Sequence, residues 1–384
     1  MQLAEGAVSL TPPCEKALAG FAGLATLPRH PEIRGSRATY AQAIAAAAER
    51  LRRSRMPLVL LGGGLTAAAA QQAIHLAKRL HACVDTPFSA AEQALLHLWS
   101  EQGSQWLTLG EIHQSPDTLL FIGMHPATDY PRLWPRFIAG NAKIRGRLAA
   151  INSRLPYPEA QTPGALHLEE QDELRLLTTL LATLKGKVPA PPEDIHNLAQ
   201  LCLAAGSGLV LFDLARLAWP RPTLAAIQRL VEFLNKRAEA HWYTLPFTPG
   251  CGALTAMNVL TAVSGFPASV RFTTNGPEYS PAEWSAETLL QRGEADLVVI
   301  VGGAPWLSPP GQEALRPYPT LVLASQPPAT PAEVYLPVGM AGIDSAGTLL
   351  RLDGIPISLS PLELFQSRPA AENVLQDILR EVGL

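Results

Sequence analysis

Residues 57–99 read PLVLLGGGLTAAAAQQAIHLAKRLHACVDTPFSAAEQALLHLW. The run PLVLL is continuously apolar, the pattern of a parallel strand covered on both faces. A glycine turn closes it, and an alanine-rich helix is expected over Ala67–Leu80. A short strand then ends at Val84, and a second helix starts soon after Ser89. Strand, helix, strand and helix in direct succession predict a doubly wound α/β unit. In such sheets ligands bind at the loops that follow the carboxyl ends of the strands. Yet the loop between Val84 and the next helix leads into Ala90-Ala91-Glu92, with no thiol, histidine or glycine cluster.

The same alternation continues along the chain. Apolar runs recur as TLLFIG at 118, RLAAIN at 147, LVLFD at 209, DLVVIVGG at 296, TLVLAS at 320 and EVYLP at 333. Helical patterns lie at Tyr40–Arg53, Glu170–Leu184 and Thr223–Lys236, while Leu155–Pro163 and Pro189–Pro192 read as loops. With 384 residues the chain has room for two or three domains. The expected arrangement is a discontinuous domain over 1–104 and 207–384, with a smaller α/β domain over 105–206 inserted in it. The strand LVLFD is expected to resume the first sheet.

Composition narrows the classes. A net charge of −3 leaves no basic footprint for nucleic acid. No apolar run reaches the roughly 20 residues that span a bilayer, and MQLAEGAVSLTPP lacks the basic start and apolar core of a signal peptide. A cytoplasmic protein is expected. Charged residues are 16% of the chain and hydrophobic ones 47%, which suits a globular protein with part of its surface covered by partners. The four cysteines, Cys14, Cys83, Cys202 and Cys251, are too far apart for a local zinc or iron–sulfur motif. They are expected to pack as small hydrophobes.

Candidate sites are few. Gly62–Gly64, between strand and helix, has the geometry to present amides to a phosphate, although it is neither G-x-G-x-x-G nor a P-loop. FIGMHP (121–126) and VGGAP (301–305) end two strands in small-residue turns closed by proline and suggest paired nucleotide crevices. Ordinary βα turns explain them equally well. His125 has no carboxylate near it in sequence and is read as structural, as are His241 and Trp242 at the start of a strand. Arg351 and Asp353, in GTLLRLDG, would share a face of an extended segment and could pair or bind a polar group. No G-x-S-x-G, H-E-x-x-H or paired-carboxylate motif is present. PLVLLGGG also resembles the middle domain of thiamine-diphosphate enzymes, but their Gly-Asp-Gly…Asn motif is missing.

Three longer blocks carry a more specific resemblance. TLGEIHQSPDTLLFIGMHPATDYPRLWPR (108–136), NGPEYSPAEWSAETLLQRGEADLVVIVGGAP (275–305) and AEVYLPVGMAGIDSAGTLLRLDGIPISL (332–359) resemble, in order and spacing, signatures of the B-subunit family of formylmethanofuran dehydrogenase. The similarity runs from about Cys14 to the C-terminus. It implies a molybdopterin-oxidoreductase-like fold, two doubly wound Rossmann-like domains with one inserted in the other, whose redox members bind a tungsten or molybdenum pterin guanine dinucleotide. Gly123, Pro126, Asn152, Arg154, Gly302, Gly303 and Thr330 match its dinucleotide-contact regions, and Arg132 and Arg351 are further candidates to line a vestigial crevice.

The departures from that family decide the functional expectation. Only Cys14 matches the family's cysteine-rich iron–sulfur stretch, and one thiolate cannot hold a cluster; the iron–sulfur domain is expected to be absent. Ala91 and Glu92 fall where the family has a metal-ligating cysteine and a histidine, and a methyl group cannot ligate a soft metal. Thr248 falls at the catalytic arginine, whose fixed charge it cannot supply. The resemblance therefore points to the family's relatives in methylotrophic bacteria, the B subunits of a formyltransferase/hydrolase complex. There the partners are an amidohydrolase-like A subunit, a C subunit and a formyltransferase D subunit. The complex moves a formyl group from tetrahydromethanopterin to a methanofuran-type carrier and hydrolyses it to formate. This chain is expected to be its non-catalytic structural subunit, with no metal-pterin and no iron–sulfur cluster. The alternative is an active tungsten or molybdenum dehydrogenase subunit that holds its metal through other ligands.

Overall fold

The computed structural model describes all residues except 1, 5–6, 11–13, 22–23, 25–26, 145–146, 162–163, 170, 249–252, 304–305, 363–367 and 384. The chain divides into two compact units. One comprises residues 1–11, 18–88 and 250–384, and the other residues 12–17 and 89–249.

The first unit is built on a nine-stranded sheet. Its centre is parallel, in the order Cys83–Asp85, Pro57–Leu61, Leu297–Val301, Thr320–Ala324 and Val334–Pro337. Antiparallel pairs complete both edges, Val270–Thr273 with Gly276–Tyr279 on one side and Glu32–Ile33 with Ser36–Arg37 on the other. The apolar runs are continuous because both faces are covered. Val59 and Leu61 point into a core shared with the helices Tyr40–Arg53, Ala67–Arg79 and Ala371–Val382. Leu58 and Leu60 point the other way, onto Leu289 and Leu290 of the helix Ala286–Arg292.

Local chemistry sets where these helices begin. Thr39 caps the first through a reciprocal box with Gln42, and Thr66 caps the next by accepting the Ala69 amide at 3.0 Å.

The second unit carries an all-parallel five-stranded sheet in the order His241–Phe247, Ser207–Asp213, Thr118–Ile122, Leu148–Ile151 and Leu166–Leu168. Helices Ala90–Gln102, Glu173–Leu184, Glu193–Ala204 and Pro220–Leu234 supply its main apolar cluster, with Leu177, Leu180, Leu198, Leu230 and Trp242 among its buried members.

This arrangement corrects the expected boundaries. The strand at 207–213 does not resume the first sheet; it pairs with Thr118–Ile122 and His241–Phe247 in the second. The second unit therefore runs over 89–249, not 105–206, and also takes in residues 12–17. The physical reason is that LVLFD and PLVLL are equivalent as patterns: both are short, apolar and buried on both faces. Only packing selects the sheet each joins.

Each sheet has one point where the winding reverses. In the first unit it lies between Pro57–Leu61 and Leu297–Val301, and there the two glycine turns meet. The Gly62 amide donates to the Val301 carbonyl at 2.8 Å, and Gly63 bridges to Gly303. A Cβ on Gly62 would lie 1.6 Å from the Gly303 carbonyl oxygen. The glycine run thus permits direct contact between two backbones, and that contact fills the space between them. In the second unit the reversal lies between Thr118–Ile122 and Ser207–Asp213, and there the structure is open.

Candidate functional site

A cavity of about 450 Å³ lies at the carboxyl ends of the second unit's strands, the position where doubly wound sheets bind ligands. Four loops build it. Gly123 and His125 follow the strand 118–122, Asn152 follows 148–151, residues 171–174 follow 166–168, and Arg216 to Thr223 follow 207–213.

Two left-handed residues shape its floor. Gly123 has φ of 63° and turns the chain sharply out of its strand, its amide donating to the Ile151 carbonyl at 2.9 Å. Asn152 has φ of 48°, a conformation that asparagine tolerates better than most residues because its side chain bonds locally. Its Oδ1 accepts the Gln171 amide at 2.8 Å, and its Nδ2 donates to the Gln171 carbonyl at 2.8 Å and to Glu173 Oε1 at 3.1 Å. One asparagine therefore ties the turn after one strand to the start of the helix 173–184, which Asp172 caps by accepting the Arg175 amide.

Charge is distributed unevenly around the cavity. Glu173 is only 8% exposed, and its Oε2 has no hydrogen-bond partner among the described residues. Burial pushes its carboxyl above the usual carboxylate range; the Asn152 bond opposes this and the Asp172 charge adds to it. Arg216 is already engaged: its Nη2 donates to Asp129 Oδ2 at 2.6 Å, and its Nε lies 3.8 Å from Asp213 Oδ2. Asp213 also accepts from the Tyr130 hydroxyl at 3.2 Å. Burial above all, with the Asp213 charge behind it, pushes the Tyr130 phenol up. At the rim, Trp219 is 64% exposed and precedes Pro220, the first residue of the helix 220–234.

The sequence candidates divide between the two units. Gly123 and Asn152 both line the cavity. Pro126 is buried as the first residue of the short helix Pro126–Asp129, and Arg132 is half-buried a few residues on. Arg154 is exposed, with its amide donating to the Met124 carbonyl. His125 Nδ1 lies 2.9 Å from the Met124 carbonyl oxygen and 3.2 Å from the Arg154 amide, so a positional role accounts for its ring.

Gly302, Gly303, Thr330 and Arg351 belong to the first unit. Gly302 and Gly303 form the backbone contact with Gly62 and Gly63. Thr330 is exposed between the strands 320–324 and 334–337. Arg351 and Asp353 pair at 2.6 and 2.5 Å, within the tight turn joining Gly347–Leu350 to Pro356–Leu359 and not along an extended face. Sequence reading missed Glu173, Arg216 and Trp219. The available signals were an acidic start to a helix and a tryptophan set before a proline at a helix N-terminus.

Two of the three expected lost-site positions, Ala91 and Glu92, have structural uses. Ala91 is 6% exposed and packs in the second unit's apolar cluster with Leu95 and Leu98. Glu92 is half-buried, and its Oε2 accepts the Ser89 amide at 2.6 Å while Ser89 Oγ accepts the Glu92 amide at 3.2 Å. Thr248 is half-buried and follows the strand 241–247. A metal-pterin does not fit this donor set: Ala91 offers no ligand atom, and the Glu92 carboxylate is held by the backbone of its own helix. Among the described residues no group of three or more His, Cys, Asp or Glu could hold a metal ion, and Cys251 lies outside them. No described helix is long and apolar enough to cross a membrane.

No protein-family model matches the chain. The B subunit of tungsten-containing formylmethanofuran dehydrogenase 2 from Methanocaldococcus jannaschii is 26% identical over 339 residues, covering 83% of this chain and 78% of that protein. The Methanococcus maripaludis counterpart is 25% identical over the same length. The B subunit of the formyltransferase/hydrolase complex Fhc from Methylorubrum extorquens is 25% identical over 327 residues, covering 83% of this chain and 87% of that protein. Among solved structures, a chain of the M. extorquens FhcABCD complex with methylofuran superposes with a TM-score of 0.76, at 23% identity, over 92% of this chain and 98% of that one. The mixed α/β fold with parallel sheets is therefore shared with that complex. The chain is thus similar along most of its length to the B subunits of formylmethanofuran dehydrogenase and of the formyltransferase/hydrolase complex.

Proposed function

We propose that this chain is a structural, non-redox subunit of a cytoplasmic formyltransferase/hydrolase assembly. Its partners there would be an amidohydrolase-like A subunit, a C subunit and a formyltransferase D subunit. The assembly would pass a formyl group from tetrahydromethanopterin to a methanofuran-type carrier and release it as formate. In this reading the two units retain a molybdopterin-oxidoreductase-like frame that binds neither a metal-pterin nor an iron–sulfur cluster.

The observation that carries the reading is the fate of Ala91 and Glu92. The position that the resemblance matches to a metal ligand lies in an apolar core, and its neighbour forms half of a helix cap. Formyl transfer and hydrolysis require no electron transfer, so a chain in this role has no use for the lost groups. The test is metal analysis with absorption spectroscopy of the purified assembly. Tungsten, molybdenum and iron well below one atom per subunit are expected; stoichiometric metal in this chain would overturn the reading.

The similarity to two tungsten enzymes favours a second reading, an active redox subunit. It requires formate- or formylmethanofuran-dependent dye reduction by the purified assembly, which the structural reading forbids.

A further inference from the structure

We propose that the first unit supplies its own anion, Glu372, to the strand, glycine turn and helix at 57–79, and takes no phosphate-bearing ligand there. This rests on the reading of the chain as a subunit that binds no metal-pterin dinucleotide.

The element has the parts of a phosphate loop: the strand Pro57–Leu61, the glycines 62–64 and the helix Ala67–Arg79. A phosphate on it would stand between the two strand ends and before the helix N-terminus, where amides and the helix dipole favour negative charge. Gly302 and Gly303, which the family resemblance matches to dinucleotide contacts, lie at the same reversal point. Both places are already in use.

Between the strand ends, backbone meets backbone. The Gly62 amide donates to the Val301 carbonyl at 2.8 Å and Gly63 bridges to Gly303, so the two chains stay paired past their strands and do not part into a crevice. Gly302 is packed as closely: a Cβ there would lie 2.8 Å from the Gly63 carbonyl oxygen and 3.2 Å from Leu65 Cγ.

At the helix N-terminus, the C-terminal part of the chain takes the place. Thr66 Oγ1 accepts the Ala69 amide at 3.0 Å and donates to Glu372 Oε2 at 3.4 Å. That bond is long, but at this distance the carboxylate charge still acts on the start of the helix. Glu372 comes from the first turn of the helix Ala371–Val382. A phosphate approaching Thr66 would meet this negative charge. Gly347 closes in on the same threonine, since a Cβ on it would lie 2.2 Å from Thr66 Cγ2. Two separate segments thus converge on one helix cap, and one of them brings a carboxylate.

The experiment follows backbone hydrogen exchange of the full chain at residue resolution, in wild type, E372A and E372Q. In wild type, millimolar inorganic pyrophosphate or guanosine diphosphate is expected to leave exchange over residues 62–70 unchanged. The amides of Ala69 and Ala70, which are bonded to Thr66, are expected to exchange about threefold faster in both variants, the size of a helix-dipole interaction. High salt should shrink that difference. Glutamine keeps an acceptor and loses only the charge, so equal effects in E372A and E372Q identify an anion and not a packing contact. The readout lies on the helix 67–79, which a glutamate serving only its own helix would not change.

Slower exchange over 62–70 when pyrophosphate or guanosine diphosphate is added to wild type shows a phosphate site; it overturns the proposal and leaves the subunit reading standing. Exchange of Ala69 and Ala70 in E372Q equal to that in wild type overturns the role of the carboxylate. Stoichiometric tungsten or molybdenum in the purified assembly, measured separately, overturns the subunit reading and this proposal with it.

Discussion

Ser89 and Glu92 hold each other's backbone at the start of the helix Ala90–Gln102, each side chain accepting the other's amide hydrogen. The pair occupies the junction at which the chain leaves the first unit for the second. The Ser-x-x-Glu spacing that produces it is a helix-start signal visible in the sequence. A position read by resemblance as a lost histidine is therefore occupied by a residue with work of its own.

Removing either half of this box should leave orphan amides at the helix start. S89A and E92A are each expected to destabilise the chain by about 1 kcal/mol, and E92Q by less, because glutamine also completes the box. Urea unfolding of the three variants checks the order. A loss in E92Q as large as in E92A would contradict the capping role.

Arg368 and Asp344 form an almost fully buried ion pair, 2.5 Å from Nε to Oδ2. Arg368 Nη1 also donates to the Ser325 carbonyl at 2.7 Å, and Asp344 Oδ1 accepts the Met340 amide. R368M leaves the carboxylate buried without its partner and is expected to cost about 3–5 kcal/mol. The paired replacement R368M/D344N should recover part of that loss. Thermal unfolding of the single and double variants measures the difference.

At the first unit's reversal point, G62A places a Cβ where the Gly303 carbonyl oxygen lies. Backbone has no rotamer with which to yield, so the strand ends must separate. A loss of about 3 kcal/mol or more is expected, at or above the upper end of overpacking effects. By contrast, G64A meets no described atom within 4 Å and is limited to the strain of its positive φ. Denaturant midpoints of the two variants should differ accordingly.

Asp85 is a buried carboxylate whose pH dependence can be read separately. Its Oδ1 accepts the amides of Thr86 and Ser269, and its Oδ2 accepts the Ala286 amide at 2.7 Å. Burial is the largest influence and raises its pKa to about 6 against these bonds. The folded chain thus holds this proton more tightly than the unfolded one. The corresponding stability is complete below pH of about 4 and is lost as pH rises through about 6. D85N removes that dependence and also sets an amide donor against the Ala286 amide, at a cost of about 1–3 kcal/mol. Comparing urea midpoints of wild type and D85N between pH 4 and 7 tests both statements: the gap should narrow as pH rises.

Much of the architecture is legible in the residues. Each apolar run named from the sequence became a strand, and the helix expected over Tyr40–Arg53 matches the observed one end for end. Continuous hydrophobicity indicated sheets covered on both faces, and Ala91 and Glu92 were marked as bearing no ligand chemistry. These are local properties: strand burial, helix periodicity and the presence or absence of donor atoms are written residue by residue.

The partition of strands between two sheets was not legible, and tertiary structure decided it. LVLFD carries no mark of which neighbours it will pair with, because every buried parallel strand presents the same pattern. The reversal points follow from that partition, and so does the contrast between them. One is closed by Gly62 against Gly303; the other is open beside Glu173. Glu173 looks in the sequence like an ordinary acidic residue at a helix start. Its setting comes from the surroundings that bury it, where Asn152 Nδ2 donates to Oε1 and Oε2 finds no donor among the described residues. The residue types determined that Ala91 carries no ligand atom, whereas only the long-range packing of four loops determined that a glutamate is buried beside the cavity with one oxygen lacking a donor among the described residues.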